Sequence, residues 1–131
     1  AQGGLNSGFM LLQYTAAALC SENKTLAHPD SVDTIPSSGN VEDHVSMGAN
    51  AALHCRQIVE NVRTIIAIEL MSACQALDFR LQEKPGLKLG QGTAKAYREV
   101  RAAVPFFEHD AYFKPGMEAV VELVRQGRFC A

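Results

Sequence analysis

The sequence lacks the short motifs that most often hold a metal ion. None of its four cysteines belongs to a Cys-x-x-Cys pair or has a histidine at zinc-finger spacing. The histidines at 28, 54 and 109 form no Glu-x-x-His or His-x-x-x-His arrangement. We therefore expect no metal site, surface or structural roles for these histidines, and buried thiols in a reducing cytoplasm at the four cysteines. The cysteines are Cys20, Cys55, Cys74 and Cys130.

The chain is also poor in concentrated charge and in long apolar runs. Its net charge is -2, and its 12 Lys and Arg residues are scattered, which favours no nucleic-acid partner. The longest apolar stretch, 65–77, contains Glu69 and Gln75 and is shorter than the roughly 20 residues that span a bilayer. The first five residues resemble no signal peptide and lack an initiator Met. We expect a cytoplasmic protein without a membrane span, and we expect this sequence to begin in the middle of a longer chain.

What the sequence does contain is helix-forming segments separated by turn formers. With 131 residues, 47% of them hydrophobic and 20% charged, it has the size and composition of one packed domain. Proline and glycine place loops near 29–39 and 84–92. Asn40, with Asp43 three residues later, has the pattern of a helix cap, and Thr93 can cap the next helix. The predicted helices are 5–27, 40–80, 93–105 and 115–127.

The second predicted helix is too long for a compact domain of this size. At about 1.5 Å per residue, 40–80 extends roughly 60 Å, against roughly 36 Å for a compact chain of this length. Its segment 64–71 is apolar on nearly every face and needs cover from other helices. The pattern predicts an all-α, elongated bundle with one very long central helix, as part of a larger helical enzyme or an oligomer.

The densest cluster of reactive side chains is Glu42-Asp43-His44, placed by this prediction in the first turn of the long helix. Spacing alone favours a capping role there, since acidic residues at a helix start offset the helix dipole. A general base or a substrate-binding carboxylate is the competing interpretation. Glu69 is interpreted as a carboxylate paired across a helix bundle. The two Ser-Gly tripeptides, at 6–8 and 37–39, are interpreted as turns.

The order of several segments carries more information than any one of them. The segments are Gly4-Leu5-Asn6-Ser7-Gly8-Phe9-Met10, Thr15-Ala16-Ala17-Ala18-Leu19, Ser21-Glu22-Asn23-Lys24, His28-Pro29, Ser31-Val32-Asp33, Glu42-Asp43-His44-Val45-Ser46-Met47-Gly48 and Ala67-Ile68-Glu69-Leu70. In this order they resemble landmarks of the histidine ammonia-lyases, within the aromatic amino acid lyase family. The resemblance covers nearly the whole chain and matches the C-terminal helical part of such an enzyme.

The resemblance implies a helical homotetramer whose active sites take residues from more than one subunit. It also implies an amino acid substrate and a methylidene-imidazolone electrophile, which the family forms from an internal Ala-Ser-Gly. No Ala-Ser-Gly occurs in these 131 residues. The tyrosine usually assigned as the base also lies upstream of the matched region. We therefore expect these residues alone to be inactive and to require the remainder of the lyase.

Two residues correspond to substrate-facing positions of the family. The resemblance implies a catalytic role for Glu42, where phenylalanine lyases have glutamine, and a substrate-binding role for Met10, where they have lysine. This pair favours histidine deamination, because a carboxylate can bind an imidazole N–H. Val41 departs from the glutamine common in the family. Another aromatic amino acid lyase, an aminomutase and a non-catalytic helical oligomerisation module remain as alternatives.

Overall fold

The computed structural model describes residues 4–32 and 34–130 and is built from four α-helices. Some residues considered in the sequence analysis lie outside the described ranges: Ala1, Gln2, Gly3 and Asp33. The described ranges contain no strand, only an isolated β-bridge, so the all-α prediction is confirmed. None of the described helices is long and apolar enough to cross a membrane. The helices are α1 (Met10–Leu26), α2 (Gly48–Glu83), α3 (Gln91–Ala103) and α4 (Lys114–Arg125).

The long helix α2 has 36 residues, about 54 Å at the usual rise, so the prediction of one very long helix is confirmed. Its predicted start is wrong. Asn40 has a φ of 68° and ends a single turn of 3-10 helix, Ser38–Asn40, instead of capping α2. The first turn of α2 contains no acidic residue. Glu42 is therefore not a helix-start charge, and the capping interpretation fails.

The remaining helix bounds follow the turn chemistry more closely. Pro115 lies in the first turn of α4, and Gly127, with a φ of 69°, follows its end, as predicted. Helix α3 begins two residues before Thr93, with Gly90 at its N-cap. Helix α1 begins at Met10 rather than Leu5.

The described residues form two compact units, whereas chain length predicts one. One unit contains the residues up to Ala17 and those from Arg63 onward, and the other contains 18–62. Helices α1 and α2 each contribute to both units. Each unit is described below by itself.

The hydrophobic core belongs to the unit that includes α3 and α4. From α2 it takes one face at helical spacing, Ala67, Ile68, Met71 and Cys74. Val100, Val104 and Val120 complete its centre, each at most 1% exposed. Around it three phenylalanine rings, at 9, 107 and 113, meet edge to face with centroids 5.0 to 6.0 Å apart. The chain therefore covers one face of segment 64–71, and Ile66 stays 38% exposed.

Candidate active site

Glu42 lies at the end of a reverse turn within the unit 18–62. Its backbone pairs with that of Ser37 in both directions: the Ser37 N–H donates to the Glu42 carbonyl at 2.9 Å, and the Glu42 N–H donates back at 3.3 Å. The Ser37 hydroxyl also donates to Glu42 Oε2 at 3.1 Å. Both backbone and carboxylate of Glu42 are therefore held by one residue five positions earlier.

Three consecutive left-handed residues make this turn. Ser38, Gly39 and Asn40 have φ values of 52°, 64° and 68°. Glycine reaches this region without a steric cost, and asparagine tolerates it better than most residues. The left-handed turn reverses the chain between Ser37 and Glu42, which is why the long helix cannot begin at Asn40.

A second closure surrounds the turn. The Thr34 hydroxyl accepts the N–H of Val45 at 2.7 Å and donates to the Val45 carbonyl at 3.0 Å. These bonds are partly buried, and they close the segment 34–45 outside the Ser37 pairing. Further along, His54 Nδ1 of α2 lies 3.2 Å from the Asp30 carboxylate, on the turn Asp30–Val32. The bonds between Thr34 and Val45 therefore join the two ends of the segment that carries Glu42.

The Glu42 carboxylate is exposed and only partly engaged. No hydrogen bond or ion pair within the described ranges involves its second oxygen, Oε1. A carboxylate oxygen in this state can accept an N–H or a proton from a bound molecule. Val41, the departure from the family pattern, is 84% exposed beside it, so no packing is disturbed by its apolar side chain.

Met10 belongs to the other unit, where it is the first residue of α1 and 45% exposed. The backbone just before Met10 is held by the side chain of Asp110. Its carboxylate accepts the backbone N–H groups of Ser7 at 2.6 Å and Gly8 at 2.7 Å. In return, the Asp110 N–H donates to Asn6 Oδ1 at 2.9 Å. Asp110 was not singled out in the sequence, because its partners lie more than 100 residues away.

A polar network joins α2 to α3 and to the segment that follows α3. Asp78 accepts hydrogen bonds from the Tyr97 hydroxyl and from the Arg101 guanidinium. Gln75 binds both backbone groups of Phe107, donating at 2.7 Å and accepting at 3.2 Å. The side chains of Asp78 and Arg101 are only 13% and 14% exposed. This network fixes the segment between α3 and α4, from which Asp110 extends.

Two acids of this region have raised pKa values, which predicts how stability depends on pH. Burial raises the pKa of the Cys74 thiol, and the hydrogen bond to Asp78 raises that of the Tyr97 phenol. A group whose pKa is higher in the folded state stabilises fully below its unfolded pKa and loses that contribution as pH rises. We expect the free energy of unfolding, measured by urea denaturation, to fall above about pH 9, the ordinary thiol value.

A Tyr97→Phe variant separates the two contributions. It removes the phenol, so its stability should decline less steeply than the wild type above about pH 10, the ordinary tyrosine value. An identical decline in both proteins at that pH would contradict the assignment to Tyr97.

The remaining sequence predictions have mixed outcomes. Cys74 is buried as expected, but the other three cysteines are exposed, so burial of all four is wrong. The described residues contain no group of three acidic, histidine or cysteine side chains that could hold a metal. Glu69 is exposed and forms no ion pair with the described residues, so the pairing proposed for it stays a prediction.

The chain belongs to the aromatic amino acid lyase family, whose sequence profile matches residues 1–102. It is 55% identical to a histidine ammonia-lyase from Chloroflexus aurantiacus over 130 residues, 98% of this chain and 25% of that protein. Among solved structures it resembles the histidine ammonia-lyase of Trypanosoma cruzi at a TM-score of 0.89 and 44% identity, covering 98% of this chain and 25% of that one.

A tyrosine aminomutase from Streptomyces globisporus is also similar, with a TM-score of 0.90, 35% identity and coverage of 98% and 24%. The chain thus spans about a quarter of the length of the relatives it matches.

Proposed function

We propose that this chain is the C-terminal helical part of a histidine ammonia-lyase, a cytoplasmic homotetramer that converts L-histidine to urocanate and ammonia without oxidation. The observation that carries this proposal is the exposed Glu42 carboxylate, with one oxygen held by Ser37. The 55% identity to a histidine ammonia-lyase supports the choice of substrate. Because the chain spans about a quarter of such proteins, the activity belongs to the larger protein.

Glu42 and Met10 have different tasks in this proposal. Glu42 accepts the imidazole N–H of histidine or helps to move a proton during elimination. Met10 contributes an apolar, adaptable contact to the substrate, since its side chain is partly exposed at the start of α1. Other parts of the lyase supply the remaining substrate-binding and catalytic groups.

The methylidene-imidazolone supplies the electrophile of the reaction, and this chain does not supply its precursor. Its two Ser-Gly pairs do not fit that role, because neither is preceded by alanine. Both are also committed to turns: Ser7 and Gly8 give their amides to Asp110, and Ser38 and Gly39 form the left-handed turn. The Ala-Ser-Gly therefore lies outside this chain, and the 131 residues alone are inactive.

Two alternatives have different support. A tyrosine lyase or aminomutase can carry the same Met and Glu pair, and the similarity to a tyrosine aminomutase at 35% identity favours it over other aromatic substrates. A non-catalytic helical oligomerisation module would use the exposed apolar residues of α2, such as Leu53, Val59 and Val62, without needing the free carboxylate oxygen.

Product analysis distinguishes these functions. The full-length protein would be incubated separately with histidine, tyrosine and phenylalanine, and assayed for urocanate, coumarate, cinnamate and β-amino acids. We expect urocanate to be the main product. Coumarate or a β-amino acid as the main product would favour the tyrosine enzymes. No product from any substrate, together with a coding frame that does not continue upstream into an Ala-Ser-Gly, would favour the oligomerisation module.

A further inference from the structure

We infer that Ser37 is a positioning residue for Glu42, and that its hydroxyl holds one carboxylate oxygen so that the other faces the substrate. The inference rests on the proposed function of Glu42. Its basis is the hydrogen bond from Ser37 Oγ to Glu42 Oε2 at 3.1 Å, with Oε1 left without a partner in the described part of the chain.

The hydroxyl has a task that the backbone does not perform. Glu42 is exposed, and an unrestrained exposed glutamate samples several rotamers that must be given up when it binds a ligand. The backbone pairing between Ser37 and Glu42 fixes the Cα position and leaves the side-chain torsions free. The hydrogen bond to Oε2 is the one described contact that selects a direction for the carboxylate. Ser37 therefore preorganises Glu42 before the substrate arrives.

The fold allows this role to be tested without unfolding the turn. The Ser37 hydroxyl takes no part in the backbone pairing with Glu42 or in the bonds between Thr34 and Val45. It is also separate from the left-handed residues Ser38, Gly39 and Asn40. Replacing Ser37 by alanine therefore releases the carboxylate while the loop keeps its supports. Ser37 itself has extended backbone angles, φ -134° and ψ -177°, which suit a β-branched residue. Threonine can thus restore the hydroxyl at the same place.

The experiment measures kcat/KM for histidine deamination in the full-length protein. We expect Ser37→Ala to lower it about 3- to 10-fold, the effect of one solvent-exposed hydrogen bond of ordinary strength. Ser37→Thr should remain within about twofold of the wild type. Ser38→Ala is the matched control, because it removes a hydroxyl from the same turn that has no described bond to Glu42. It should leave kcat/KM within about twofold.

A double-mutant cycle separates positioning from a general structural role. If Ser37 acts through the carboxylate, Ser37→Ala should have no further effect in a Glu42→Ala background. Binding of imidazolepropionic acid, an unreactive analogue without the amino group, provides a second measurement by calorimetry that does not depend on turnover. Adding Ser37→Ala to the wild type should raise the dissociation constant of this analogue. Adding it to Glu42→Ala should leave that constant unchanged.

The outcomes distinguish this inference from the proposed function. Wild-type kinetics for Ser37→Ala, or the same loss in both backgrounds, would overturn the positioning role while leaving Glu42 in place. Equal losses from Ser38→Ala and Ser37→Ala would also overturn it. Normal histidine deamination by Glu42→Ala would instead overturn the role of Glu42, and the role of Ser37 with it.

Discussion

Replacing Glu42 by glutamine in the full-length protein should lower kcat for histidine deamination about 100-fold, in the range typical of a lost general acid or base. Glutamine keeps the length of the side chain and an oxygen that can accept the Ser37 hydroxyl. It loses the negative charge and the ability to take a proton. The effect should therefore fall mainly on kcat, with a smaller change in KM. Urocanate formation, followed by its absorbance, gives both constants.

Glu83→Gln is the matched control for this variant. Glu83 is the last residue of α2, is exposed and has no described side-chain bond, so the same chemical change there should leave kcat within about twofold.

Phenylalanine as a substrate provides a second comparison. Its ring has no N–H for Glu42 to bind, so the ratio of histidine to phenylalanine turnover should fall in Glu42→Gln. Near-normal urocanate formation by this variant would exclude a catalytic role for Glu42.

The helices are the part of the structure that the sequence predicts best, because their ends are set by local chemistry. Proline is tolerated in the first turn of a helix but disrupts its interior, and glycine readily adopts the left-handed conformation that ends a helix. Pro115 and Gly127 therefore mark α4 almost to the residue. The same reasoning predicts the loop around Pro85 and Gly86, between α2 and α3.

The Glu42 turn was not predictable in this way, because two local patterns compete in the same residues. Asn40 and Asp43 have the spacing of a helix cap, and no proline or glycine follows Asn40 until Gly48. The left-handed turn is selected instead by pairings of Ser37 with Glu42 and of Thr34 with Val45. The hydrogen bonds between Thr34 and Val45 span 11 residues, which is beyond the reach of a capping rule. Only Gly39 gave a local sign of the reversal.

The face of α2 that forms the core was also not evident from periodicity. Val59, Val62 and Ile66 follow one another at helical spacing on α2, yet these side chains are 38% to 42% exposed. The core uses the neighbouring face, with Ala67 and Met71. Since 64–71 is apolar on nearly every side, hydrophobicity alone could not distinguish the two faces.

Replacing Arg101 by methionine should lower the free energy of unfolding by about 3 kcal/mol, the cost expected when one member of a largely buried ion pair is removed. The substitution keeps an unbranched apolar stem and deletes the guanidinium. Asp78, 13% exposed, then loses its cationic partner. The carbonyls of Val104 and Pro105 also lose donors, at 3.1 and 3.0 Å. Urea denaturation measures the change.

The control is Arg98→Met, the same substitution one turn earlier on α3. Arg98 is exposed and has no described partner, so its replacement should change the free energy of unfolding by less than about 0.5 kcal/mol. Arg101→Lys should lie between the two, because an ammonium can neutralise Asp78 but cannot reach both carbonyls as the planar guanidinium does. Equal losses from Arg98→Met and Arg101→Met would contradict a special role for Arg101.

A double variant tests whether the cost comes from the stranded charge. If it does, Asp78→Leu combined with Arg101→Met should be more stable than Arg101→Met alone, since the uncompensated carboxylate is then absent. If the lost carbonyl donors dominate, the double variant should be no more stable, because those carbonyls stay unpaired. The second result would identify Arg101 chiefly as the anchor of the segment after α3. Asp110 belongs to that segment and binds the backbone just before Met10.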